Sequence, residues 1–120
     1  MKVHIIGGGN LGVSIALGLS KFSSDNQVTI TRRNTASIQY LEKLGTTVST
    51  NNIHQIQEAD VIILTIKPYQ VDAVLAEILP VISNKIIASA VSGLSIESLQ
   101  NKIGDSNSAI RIMPPLFSTT

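Results

Sequence analysis

Val3-His4-Ile5-Ile6-Gly7-Gly8-Gly9-Asn10-Leu11-Gly12 is the stretch whose reading decides the fold. A short run dominated by β-branched aliphatics suits a buried strand. It runs straight into G-x-G-x-x-G. From Asn10 to about Phe22 the apolar residues Leu11, Ile15, Leu19 and Phe22 then form a helical stripe. Strand, glycine turn and helix together are the context in which that motif has physical meaning. Gly7 allows the tight turn out of the strand, and Gly9 has no Cβ to keep a pyrophosphate off the backbone. Gly12 lets the helix pack close to the sheet. The free N–H groups and the dipole of the helix start favour phosphate there.

Outward from this unit the chain alternates strand-like and helix-like segments. Gln27–Thr31 reads as a second strand. Asn34 or Thr35 caps a helix carrying Ile38, Leu41 and Leu44, stopped by Gly45. Thr47–Ser49 is a weak third strand, and residues 53–58 make a helical turn or two. The apolar run Val61–Ile66 suits a central parallel strand covered on both faces. A helix begins at Pro68, carries Val71, Val74, Leu75, Ile78 and Leu79, and ends at Pro80. Lys85–Ser89 is a fifth strand. Ile96, Leu99 and Ile103 mark a helix stopped by Gly104, and Ala109–Met113 is a sixth strand ended by Pro114 and Pro115. Short connections with right-handed crossovers then give an α/β fold. It is a doubly wound, Rossmann-type, mostly parallel six-stranded sheet with helices on both faces, in the order 3-2-1-4-5-6.

The 120 residues fit one domain on a prior of roughly 150 residues per domain. With 43% apolar and 14% charged residues the chain is no disordered segment, and a formal charge of +1 argues against a general nucleic-acid binder. The absence of Cys removes disulfides, thiolate zinc sites and a cysteine nucleophile. No apolar run is long enough to span a membrane, and no export signal is read, so the expectation is a cytoplasmic domain. His4 reads as a structural strand histidine, and His54 as an exposed residue. Neither has a partner at metal spacing, so no metal is expected. Asp60 reads as structural, and Tyr40 and Tyr69 as helix-surface residues.

The end of the second strand bears on the cofactor. An acidic residue there accepts from the ribose 2′-OH of NAD, but Thr31-Arg32-Arg33-Asn34 holds no carboxylate. Two guanidiniums can clamp a 2′-phosphate through charge-assisted bonds of roughly 1.5–3 kcal/mol each. NADP(H) is therefore expected over NAD(H).

Four segments in order resemble the pyrroline-5-carboxylate reductases. They are Lys2 to Gly12; Thr65-Ile66-Lys67-Pro68, similar to the family's A-V-K-P; Ser89 to Ile96, similar to S-x-A-A-G-V-S-I; and Arg111-Ile112-Met113-Pro114, similar to R-x-M-P. The resemblance implies NAD(P)H-dependent reduction of a cyclic imine carboxylate, Δ1-pyrroline-5-carboxylate, to proline. It also implies cofactor contacts at Ile6, Gly7, Gly8, Gly9, Asn10 and Leu11, at Arg32 and Arg33, at Thr65, Ile66, Lys67 and Pro68, and at Ala90, Val91 and Ser92. Asn52 matches an asparagine near the adenosine ribose. Backbone contacts are expected to dominate at the 65–68 turn, where Pro68 shapes the chain rather than bonding.

Three departures stand out. Pro115 replaces the asparagine of the family's M-P-N-T-P, Arg32 stands where smaller or acidic residues are common, and the family's members are about twice this length or more. The resemblance implies a helical C-terminal domain that dimerises and completes the substrate site, so these 120 residues are expected to be either a fragment or a stand-alone relative, and no catalytic residue is assigned within them. A homo-oligomer is expected only with that domain. Two other readings stay open. One is another NADP-dependent reductase of the same wider class, such as a ketopantoate or F420-dependent NADP reductase. The other is a non-catalytic nucleotide-binding module.

Overall fold

The computed structural model describes residues 1–7, 9–22 and 25–112. Six parallel strands form one sheet: β1 (Lys2–Ile6), β2 (Gln27–Thr31), β3 (Thr47–Ser49), β4 (Val61–Leu64), β5 (Ile86–Ser89) and β6 (Ser108–Arg111). Their order is β3-β2-β1-β4-β5-β6, as the alternation of elements required. The helices are α1 (Asn10–Phe22), α2 (Val71–Ile78) and α3 (Ile96–Ile103).

Strand alternation splits the core in two. Val3 and Ile5 of β1, Val28 and Ile30 of β2, and Ile63 of β4 pack with Ala16, Ile38 and Leu41. On the opposite face Ile6, Ile62, Leu64 and Ile87 pack with Val71, Leu75 and Ile78 of α2 and with Leu99 and Ile103 of α3. Each such side chain contributes roughly 1.5–3 kcal/mol by leaving water. Away from Ile6, the same face of β1 and β2 carries polar groups: His4, Thr29 and Thr31. There the connection between β3 and β4, which includes the 3-10 turn Ile56–Glu58, lies against the sheet, and its Asn52 pairs with His4 and Thr31.

Several local expectations are corrected. In α1 the buried positions are Gly12 and Ala16, whereas Phe22 is 88% exposed. Two small residues four apart bring the helix axis close to the sheet, and the larger side chains pack along its flanks. The segment Ala36–Leu44 is a 3-10 helix, in which the three-residue spacing of Ile38, Leu41 and Leu44 is itself the helical repeat. Its last turn, at Gly45 with φ +92°, leaves Leu44 exposed. Thr35 holds its N-cap position without a side-chain bond, and Asn34 Oδ1 accepts from the Ala36 N–H at 3.0 Å.

The fourth strand stops at Leu64, two residues before the apolar run ends, because Thr65 and Ile66 form the turn into the next segment. Pro68 opens a 3-10 turn, Pro68–Gln70, ahead of α2, and Pro80 sits in a second, Leu79–Val81. Ile96 is exposed on the first turn of α3, whose Ser95 cap accepts from the Ser98 N–H at 3.0 Å. The sixth strand begins at Ser108 and ends at Arg111. Met113, Pro114 and Pro115 lie outside the described residues, as does Gly8.

Candidate functional site

The register places the site. Ile6 pairs with Thr31 on one side and Leu64 on the other, Leu64 pairs with Ser89, and Thr31 with Ser49. These strands therefore finish level with one another, and the turns that follow them share one edge of the sheet. A cleft of about 1330 Å³ runs along that edge. This is above the roughly 300–1,000 Å³ of ordinary small-ligand pockets.

Ile6, Gly7, Gly9 and Leu11 line the cleft on the glycine turn. Arg32, Arg33 and Asn52 line its β2–β3 end, and Thr65, Ile66, Lys67, Pro68, Ala90 and Ser92 line the remainder. Two expected residues sit elsewhere. Asn10 opens α1 with its side chain in solvent and is not part of the lining. Val91 is a core residue, 2% exposed, and its N–H is held by Ser89 Oγ at 3.1 Å.

The glycine turn is tight in two places and open in one. Gly7 has φ +97°, and a Cβ there would meet the Thr65 carbonyl oxygen at 2.7 Å. A Cβ on Gly12 would meet the Gly7 carbonyl oxygen at 2.4 Å. A Cβ on Gly9 would meet nothing within 4 Å. The loop is thus packed against the protein at Gly7 and Gly12 and bare toward the cleft at Gly9. The amides of the first turn of α1, which a helix cannot satisfy internally, lie just beyond it. The residues present therefore fit the diphosphate of a dinucleotide.

Thr65 lines the cleft and also braces the glycine turn. Its hydroxyl donates back into the glycine turn, toward the Ile6 carbonyl at 3.0 Å and the Gly7 carbonyl, and its N–H bonds Ile6 O at 3.0 Å. The Lys67 N–H is held by Gln70 Oε1 at 2.9 Å, and Pro68 has no N–H. Of this turn's backbone donors only the Ile66 N–H has no partner among the described residues. That N–H is the backbone donor of the turn left for a ligand. Lys67 is exposed at the rim.

Arg32 donates from Nη1 to Ser37 Oγ at 3.1 Å, which steadies the first guanidinium at the cleft's end, and Arg33 beside it is exposed. The cleft also takes in Tyr69, which the sequence places next to the cofactor turn, and residues not expected there: Thr31, and Ala73, Val74 and Glu77 of α2. The last three recur at helical spacing beside the buried stripe of α2. Tyr69 is 83% exposed. His4, by contrast, is buried, Asp60 Oδ2 accepts from the Lys2 N–H at 2.8 Å, and His54 is exposed. Among the described residues no three His, Asp or Glu side chains group as metal ligands, and no helix is long and apolar enough to cross a membrane.

Residues 2–93 match the family model described as NADP oxidoreductase, coenzyme F420-dependent. Pyrroline-5-carboxylate reductase 1 of Dictyostelium discoideum is 37% identical over 115 residues, which is 93% of this chain and 21% of that protein. The solved pyrroline-5-carboxylate reductase of Coxiella burnetii superposes with a TM-score of 0.83 at 28% identity, over 93% of this chain and 43% of that one. The fold recurs in the Plasmodium falciparum pyrroline carboxylate reductase solved with NADP bound, with a TM-score of 0.78, 22% identity, and 95% and 42% coverage. The chain thus spans less than half the length of each.

Proposed function

The chain belongs to the NADP oxidoreductase, coenzyme F420-dependent family, and on that premise we propose that it is the cofactor-binding part of an NADPH-dependent imine reductase of the pyrroline-5-carboxylate reductase kind. The observation that carries this reading is the cleft itself. It joins a glycine turn bare at Gly9 to the arginine pair at the end of β2. The likeness to the Dictyostelium protein reaches beyond residue 93, where the family model stops, and that favours this reductase over others of the wider class.

In this proposal the first-turn amides of α1 and the bare face of Gly9 hold the diphosphate. Arg32 and Arg33 hold the 2′-phosphate, which makes NADP(H) the preferred cofactor over NAD(H). Asn52 meets the adenosine ribose. Ile66, Ala90 and Ser92 border the nicotinamide end, where the sheet edge fixes its position. When bound, NADPH supplies a hydride to the carbon of a cyclic imine carboxylate, and the nitrogen takes a proton to give the amine. The chain's own task is to orient that reaction by holding the donor at near-attack distance. No side chain of the cleft among the described residues is assigned as the acid. The proton donor and the substrate contacts belong, on this reading, to a further helical domain that also dimerises.

Titration calorimetry of the chain with NADPH and NADH tests the proposal. Saturable heat with NADPH and weaker binding of NADH are expected, with negligible proline formation by the chain alone. Absence of heat at millimolar NADPH refutes it.

A further inference from the structure

His4, Thr31 and Asn52 come from three parts of the chain and meet where the β3–β4 loop covers the polar part of the sheet. Thr31 Oγ1 donates to Asn52 Oδ1 at 2.7 Å. The His4 Nε2–H donates to the Asn52 backbone carbonyl at 2.7 Å, and since a carbonyl only accepts, the ring's proton lies on Nε2. Both holders are buried, His4 at 1% exposure and Thr31 at 0%. Asn51, the residue before, turns the loop locally by accepting from the Ile53 N–H at 3.0 Å.

With Oδ1 committed to Thr31, the carboxamide has one orientation. Its Nδ2 has no partner among the described residues, yet no buried polar side-chain atom there goes unpaired. Nδ2 must therefore reach open space, and the space that Asn52 lines is the cleft. We propose that Thr31 and His4 are positioning residues: the hydroxyl sets the carboxamide of Asn52, the ring sets its backbone, and Nδ2 is presented to the cleft as a hydrogen-bond donor for a ribose oxygen. The inference rests on the dinucleotide reading above and deepens it. A buried threonine at a strand end is thereby linked to a ligand through the carboxamide it orients.

NADPH affinity measured on the 120-residue chain and on four variants tests this. Asn52→Ala is expected to weaken NADPH by about three- to tenfold, the loss of one neutral hydrogen bond. Thr31→Val, similar in size but without the donor, is expected to match it, and Thr31→Ser to restore affinity to within about twofold. In the double variant Thr31→Val/Asn52→Ala the two losses are expected not to add. In spectra of the ligand-free ¹⁵N-labelled chain, Thr31→Val is expected to shift or broaden the Asn52 side-chain amide pair. Additive losses, or an unmoved amide pair, overturn the positioning role while wild-type binding stands. A wild-type chain that does not bind NADPH overturns the cofactor reading and this inference together.

Discussion

Three single alanines in the glycine-rich segment separate packing from binding. At Gly12 the added Cβ lies 2.4 Å from the Gly7 carbonyl oxygen and 2.9 Å from Thr65 Oγ1, where ordinary contact begins at 3.4 Å. The obstacle is backbone, so relief requires the turn to retreat by about 1 Å, a strain of roughly 1–3 kcal/mol. Ala regains about 1 kcal/mol of helix propensity over Gly. Gly12→Ala should thus lose up to about 2 kcal/mol net, a fall in Tm of up to roughly 10 °C for a chain of this size. It should also weaken NADPH, because the retreat moves the amides that face the diphosphate.

Gly18 is exposed in the same helix, and an added Cβ there would meet nothing within 4 Å, so it receives only the propensity gain. Gly18→Ala should raise Tm by about 4 °C and leave binding unchanged. Gly9 is also open, but it is the residue before α1, where Ala is a poorer cap, at a cost of about 1 kcal/mol at most. A methyl on Gly9 would stand where the diphosphate approaches. Losing one or two charge-assisted bonds lowers NADPH affinity by roughly ten- to a hundredfold. Differential scanning fluorimetry and calorimetry on the three variants read both quantities. Gly9→Ala binding NADPH within twofold of wild type refutes the phosphate-loop argument, and a raised Tm in Gly12→Ala refutes the close approach.

Arg32→Ala/Arg33→Ala should weaken NADPH by about tenfold or more and NADH by less than about threefold, since NADH lacks the phosphate these groups would hold; equal losses in competitive titrations would remove the cofactor preference. Thr65→Val removes the hydroxyl bonded to the Ile6 and Gly7 carbonyls while keeping the side chain's volume. A carbonyl left without its partner in a partly buried site costs about 1–3 kcal/mol, and a fall in Tm with several-fold weaker NADPH binding is expected. An unchanged Tm would show that the clasp contributes nothing. Burial lowers the His4 pKa from its ordinary value of 6.5, the hydrogen bond to Asn52 opposes that in part, and His54 adds to the lowering. The unfolded chain then takes up a proton before the folded one does. Stability from this residue is complete above about pH 6.5 and falls as pH drops from there toward the folded pKa. Urea midpoints between pH 7.5 and 5 should decline more in wild type than in His4→Gln; parallel declines would exclude His4 as the source.

What the sequence makes legible is set by how local each determinant is. β-branched runs and short connections suffice for the order β3-β2-β1-β4-β5-β6, because each strand announces itself within five residues or fewer and the right-handed crossover leaves few alternatives. The glycine turn is legible for the same reason, as is the gathering of turns at one sheet edge. The helix faces are less so. Large apolar residues at 11, 15, 19 and 22 look like the buried stripe of α1, yet Gly12 and Ala16 occupy the contact line, because close approach to a sheet selects small side chains. Val91 reads as a cleft residue by its neighbours, but its side chain is buried in the core. The polar framework is not legible at all. His4 and Asn52 are 48 positions apart and Thr31 and Asn52 are 21 apart, so no window of sequence contains the contacts that would orient the carboxamide. Thr65 shows the same limit: it stands where A-V-K-P has alanine, and only the fold shows that its hydroxyl turns back on the glycine loop. Residues that touch the cleft can thus be read from motifs, whereas the residues that hold them in place emerge from packing between distant segments. The Thr31 and Asn52 variants bear on that second class, for which a single sequence supplies no signal.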